Sequence, residues 1–137
     1  IAKPNVNIIT NIGTAHVGNL VDKKGIAKEK SDIFSFSNQK DYSIIPHDDA
    51  FYKFLKDKAS KKSNLIYTFG KKRNSSFQYF KSEHKDKLVK FRILDKGYDF
   101  HRKIIFKNWE NNIVVIMGLI KILNLKVKSL KKKMPKQ

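Results

Sequence analysis

The chain has 137 residues, is 40% hydrophobic and carries a formal net charge of +18, the size and apolar content of one domain with a real core. It contains no cysteine, which excludes disulfides and thiolate metal sites and fits a reducing compartment. Its longest apolar run, Ile113 to Ile120, stops at Lys121, far short of the roughly 20 residues that a membrane span requires.

The charge invites a nucleic-acid reading. Only Arg73, Arg92 and Arg102 among the 30 basic residues are arginine, however, and arginine is the better reader of phosphates and bases. Asn, Ile and Phe are abundant beside the lysines, so an A/T-rich base composition that loads lysine onto solvated faces explains the excess. A basic nucleic-acid-binding module stays as the alternative from a different functional class.

In chain order, "VNIIT" (Val6 to Thr10) reads as a buried strand running into the polar loop "NIGTAH", the usual place for chemistry in an open α/β sheet. The start at Ile1 enters partway through an element, and the chain reads as a fragment of a longer protein. Asp22 is a candidate N-cap for the helix that follows. Within "GIAKEKSDIF", helical spacing at about 100° per residue puts Ile26, Ala27, Ile33 and Phe34 on one arc, with Lys30 in its middle. A lysine stem can lie along such a surface with its ammonium in water. The sharper alternative is a desolvated, nucleophilic nitrogen that takes up carbon dioxide as a carbamate, an oxygen ligand suited to Mg²⁺.

"DYSIIP" predicts a second strand stopped by Pro46, "DDAFYKFLKDKAS" an amphipathic helix and "NLIYTFG" a third strand closed by Gly70. That order is the signature of a parallel sheet with crossover helices. "SSFQYFKS", "KLVKFRILD" and "YDFHRKIIF" then predict a small antiparallel sheet, with "DKG" as a hairpin turn. "NWENNIVVIMGLIKILNL" suits a buried helix, apolar on nearly all sides. "KVKSLKKKMPKQ" is a basic tail. The domain reading is residues 1–130 as the second half of one α/β domain and 131–137 as the start of a linker.

No Gly-rich phosphate loop, zinc-type histidine pair or Ser-His-Asp set can be argued from spacing. His47, His84 and His101 sit among charged residues and read as solvated. His16 differs, because it lies in the loop after the first strand.

"KPNVNIITNIGTAHVGN" followed by "GIAKEKSDIF" resembles the central domain of the Mur ligases. The family pattern A-R-P-D-V-A-V-I-T-N-I-G-x-A-H is matched at Pro4, Val6, Ile9, Thr10, Asn11, Ile12, Gly13, Ala15 and His16. G-S-x-E-x-I-A-x-A-K-x-E-I-F is matched at Gly25, Ile26, Ala27, Lys30, Ile33 and Phe34, with the spacing between the blocks preserved. "DDAFYKFLKDKAS...IYTFG" resembles the segment following the family's N-A-D-D, and "NWENNIVVIMGLIKILNL" the helix that opens H-N-V-x-N or H-W-x-x-N. Sister ligases carry N-I-S-x-D-H or N-V-T-x-D-H, and folylpolyglutamate synthases I-G-x-D-H. Ala15 in place of their acidic residue favours the branch that adds D-alanyl-D-alanine; the other amino-acid-adding ligases and the folylpolyglutamate synthases are the alternatives.

The resemblance implies an ATP-dependent amide-forming ligase of peptidoglycan precursor synthesis, cytoplasmic and monomeric, binding no nucleic acid. Its substrates would be UDP-N-acetylmuramoyl-tripeptide and D-alanyl-D-alanine, and its cofactors ATP and Mg²⁺. It implies that His16 and a carbamylated Lys30 hold one Mg²⁺, that Asn112 lies close to the adenine, and that Asn11 opens the histidine loop. Departures stand at Val21 to Lys24, where the family has Gly-Ser-x-Glu, and at Asn108, where it has a histidine. The family's phosphate loop lies upstream of the matched region, so the polypeptide alone is expected to be inactive.

Overall fold

In the computed structural model, residues 4–13, 20–80, 88–101 and 109–126 are described. The elements are β1 (Val6–Ile8), α1 (Leu20–Ser31) with a 3-10 turn at Asp32–Phe36, β2 (Tyr42–Pro46), α2 (Tyr52–Ser60) and β3 (Leu65–Gly70). β4 (Phe77–Phe80), β5 (Leu88–Ile93), β6 (Lys96–His101) and α3 (Trp109–Ile122) complete the order.

The described strands form one six-stranded sheet in the order β1-β2-β3-β4-β5-β6. β1 to β4 run parallel, and β5 pairs antiparallel with β4 on one side and with β6 on the other. The expected α/β class and both strand groups are present. The antiparallel strands extend the parallel sheet instead of forming a sheet of their own. The junction is short: only Phe69↔Phe77 and Gly70↔Gln78 pair between β3 and β4. Hydrogen bonds from Ser76 N–H to Thr68 Oγ1 (3.0 Å) and from Thr68 N–H to Ser76 Oγ (3.1 Å) close the loop between them.

Strand alternation sends neighbouring side chains to opposite faces, and two apolar clusters result. Ile44, Phe69, Phe77, Tyr79, Val89, Phe91 and Ile93 pack beneath Val114 and Val115 of α3. Ile45, on the other face, joins Ile9, Ile12, Ala27, Phe34, Leu55 and Ala59, which ties β1, α1 and α2 together. Fully burying each aliphatic or aromatic side chain contributes about 1.5–3 kcal/mol, so these clusters hold the loops at the strand ends in place.

Several expectations shift in detail. α1 begins at Leu20, which puts Asp22 in the first turn of the helix and not at its N-cap. The hairpin turns at Leu94-Asp95, since Ile93 pairs with Lys96, one residue earlier than "DKG" suggested, and Leu94 takes φ 58°. α3 buries Val114, Val115 and Gly118 but leaves Ile116 half exposed, so it has one solvated side. Gly118 allows a close approach: a Cβ there would come within 2.4 Å of the Phe77 ring. The basic tail beyond Lys126 lies outside the described residues.

Candidate functional site

The loops that follow β1, β2 and β3 gather at the carboxyl edge of the parallel strands, where open α/β sheets bind their ligands. Ile9 donates its N–H to Ile44 O (3.0 Å), which carries the sheet one step beyond β1. Ile9 and Ile12 are then buried, 4% and 7% exposed, while Asn11 between them faces solvent. The alternation presents the Asn11 side of the loop outward.

Lys30 reaches this loop. Its Nζ donates to the backbone carbonyl of Asn11 at 2.9 Å. The wheel that placed Lys30 amid apolar neighbours assumed an α-helix running through Phe34. The helix ends at Ser31 and tightens to a 3-10 turn, which leaves Ile33 37% exposed. The buried side of this segment is Ala27, Ser31 and Phe34. Ser31 is accommodated there because its hydroxyl donates to Lys28 O at 2.7 Å. Lys30 is an exposed residue beside that face, which agrees with a stem lying along the surface and not with the desolvated alternative. Its fixed position comes from the Asn11 carbonyl instead.

Asp49, in the loop before α2, completes the arrangement. Its Oδ2 accepts from Ile12 N–H at 3.0 Å and its Oδ1 from Phe51 N–H at 2.8 Å. Asn11 O and Ile12 N belong to one peptide group, so Lys30 holds its carbonyl end and Asp49 its amide end. Sequence reasoning missed Asp49. The signal available was an acidic residue three before the first residue of a helix, a common local capping pattern, and nothing in that pattern points to Ile12.

A second polar cluster lies beside it. His47 Nδ1 is 2.9 Å from Ser75 Oγ, and the imidazole lies against the Tyr52 ring with centroids 4.4 Å apart. Lys72 Nζ donates to His47 O at 2.9 Å. The expected solvated His47 is in fact half-buried. Burial, then the charge of Lys72, pushes its pKa below the ordinary value, although Asp48 opposes this. Asp48 itself accepts from the backbone N–H of Lys71 and Lys72 at 2.6 and 3.2 Å and lies against Gly70, whose φ is +144°.

Of the residues expected at the site, Asn11 and Lys30 are brought together. Asn112 lies exposed in α3, on the opposite face of the sheet from α1. His16, His84 and Asn108 lie outside the described residues. A cavity of about 430 Å³ opens between α1 and α2, lined by Ala27, Phe51, Phe54, Lys24, Lys28 and Lys58. It touches none of Asn11, Lys30 and Asp49, so it is separate from this site.

The family model described as the Mur ligase middle domain matches residues 1–120. The chain belongs to that family. A curated relative, the UDP-N-acetylmuramoyl-tripeptide--D-alanyl-D-alanine ligase of Treponema pallidum, is 46% identical over 52 residues, which is 38% of this chain and 11% of the relative. A crystal structure of MurF from Acinetobacter baumannii superposes with a TM-score of 0.75 at 19% identity, covering 98% of this chain and 30% of that one. MurF from Thermotoga maritima in complex with ADP gives 0.74 at 16% identity, covering 99% and 31%. At these identities the two superpositions speak for the fold. The chain thus spans less than a third of the length of these relatives.

Proposed function

We propose that this chain is the second half of the ATP-binding middle domain of a MurF-type ligase, which adds D-alanyl-D-alanine to UDP-N-acetylmuramoyl-tripeptide in the cytoplasm. The observation that carries the site assignment is the Lys30–Asn11 hydrogen bond, which joins the two sequence blocks whose spacing matches the family pattern. The Treponema pallidum relative, named for that same reaction, supports the choice of substrate. Residues 131–137 would lead towards the next domain.

The chemistry assigned to such a ligase is transfer of the ATP γ-phosphoryl group to the peptide's terminal carboxylate. The amine of D-alanyl-D-alanine then attacks the acyl carbon, the C–O bond to phosphate breaks, and an amide and inorganic phosphate result. Catalysis of this kind rests on positioning and on charge placed around the transferring group.

Lys30 contributes by becoming a carbamate. The neutral amine forms an N–C bond to carbon dioxide and loses a proton to water, leaving R–NH–COO⁻. One N–H survives, so the hydrogen bond to Asn11 O can persist while two new oxygens face outward. The exposure of Lys30 leaves it open to dissolved carbon dioxide. Among the described residues no group of three His, Asp or Glu side chains could hold a metal ion. A carbamate would add an oxygen ligand of the kind Mg²⁺ takes, with its remaining positions left to water and phosphate. Lys30 and His16 would hold this ion, which would supply positive charge against the phosphoryl oxygens. Asn112 would lie close to the adenine, and Asn11 would fix the loop that leads to His16.

The assay that tests this reading measures phosphate release by the full-length ligase from ATP and UDP-N-acetylmuramoyl-tripeptide. Release that depends on D-alanyl-D-alanine is expected. Release that depends instead on one amino acid, such as meso-diaminopimelate, would assign the chain to a sister ligase.

A further inference from the structure

We propose that Asp49 is a positioning residue for Lys30, acting through the Asn11–Ile12 peptide group; its catalytic consequence rests on the function proposed above. The argument starts from geometry. A peptide group is planar, so fixing the direction of its N–H fixes the direction of its C=O. Asp49 Oδ2 accepts the Ile12 N–H at 3.0 Å, and the carbonyl at the other end of the same plane accepts Lys30 Nζ at 2.9 Å. Without Asp49, the plane could turn about its flanking bonds and the Asn11 carbonyl would leave Lys30.

Asp49 is itself well anchored. Its second oxygen binds Phe51 N–H at 2.8 Å, and its own carbonyl accepts Tyr52 N–H at 3.0 Å. Both donors lie at the start of α2, whose Leu55 and Ala59 are buried in the cluster that holds Ile12. Asp49 therefore references the β1 loop to a packed helix. A carboxylate between two N–H donors also polarises the peptide, which strengthens the carbonyl at its far end as an acceptor for a charged donor. Lys30 is exposed, so this acceptor is what selects one position for its long, flexible side chain.

The test compares Asp49→Ala and Asp49→Asn with the unchanged full-length ligase. The first reading is the acetylation rate of Lys30 by an N-hydroxysuccinimide ester in bicarbonate-free buffer, followed by peptide mass spectrometry. Lys24 and Lys28, on the same helix, are the internal references. Loss of one hydrogen bond predicts that Lys30 acetylation rises about two- to tenfold relative to both references. Asp49→Asn keeps the side chain's shape and retains one acceptor oxygen, so it gives the same direction should Asp49→Ala fail to fold. In turnover, kcat falls at least about tenfold, while KM for ATP changes less than about twofold.

If Lys30 acetylation in both variants rises no more than that of Lys24 and Lys28, the proposal is overturned, whatever happens to turnover. The functional reading fails separately, through normal turnover by Lys30→Ala, and that result would leave the acetylation measurement intact as a test of the clamp.

Discussion

Lys30 and Asp49 grip opposite ends of one peptide group: the ammonium lies 2.9 Å from Asn11 O, and the carboxylate 3.0 Å from Ile12 N. Three separate segments meet there, the β1 loop, the end of α1 and the loop before α2. Each is held by the cluster of Ile9, Ile12, Ala27, Phe34, Ile45 and Leu55. The apolar core of this face therefore sets the geometry of the polar site above it.

Gly118→Ala is expected to destabilise the chain by about 1–3 kcal/mol, the usual cost of overpacking. The new methyl would overlap the ring of Phe77, which is fully buried and has no room to retreat. Urea unfolding measures the loss. An unchanged midpoint would mean that α3 does not lie this close to β4.

Leu94→Gly is expected to stabilise by about 0.5–1 kcal/mol, because a leucine at φ 58° pays a left-handed backbone penalty that glycine escapes. Leu94 is only 38% exposed, so the packing of its covered part is lost and offsets part of the backbone gain, which keeps the net effect at the low end of that range. A lower melting temperature would place the turn elsewhere, as "DKG" alone would suggest.

His47 makes stability depend on pH. Its folded-state pKa lies below the ordinary 6.5, through burial first and Lys72 second. The unfolded chain therefore binds the proton more readily. Stability falls as pH drops through about 6.5 towards the lower folded value, below which the full penalty applies. The groups facing the ring are Ser75, Tyr52, Lys72, Lys56 and Asp48. Urea midpoints measured between about pH 5 and about pH 8 should slope upward, and His47→Gln should flatten that slope. An equal slope in the variant would assign the effect to other groups.

Local patterns carried much of the fold. "YSIIP" is a strand because a short β-branched run meets a proline, and "YKFLKDKAS" is a helix because Leu55 and Ala59 fall on one buried face. The family blocks marked Asn11 and Lys30, which the structure joins. Other features depend on distant partners and leave no local trace. Asp49 and Ile12 are 37 residues apart, and nothing around either announces the other. Lys30 looked buried because the change to a 3-10 turn at Asp32 cannot be read from periodicity. β4 joins β3 through two residue pairs, too few to impose any pattern on "FQYF". His47 looked solvated because its neighbours in sequence are charged, whereas Tyr52 and Ser75 reach it through the fold.

The most direct measurement is turnover by full-length Lys30→Ala with ATP, UDP-N-acetylmuramoyl-tripeptide and D-alanyl-D-alanine, with and without added acetate or propionate. Lys30 is exposed but donates to Asn11 O, so rescue by the carboxylates, more than the loss itself, separates the missing oxygens from a loosened loop. The account predicts that turnover is lost without the short carboxylates and partly restored when they supply the missing oxygens. Turnover equal to that of the unchanged ligase would contradict it.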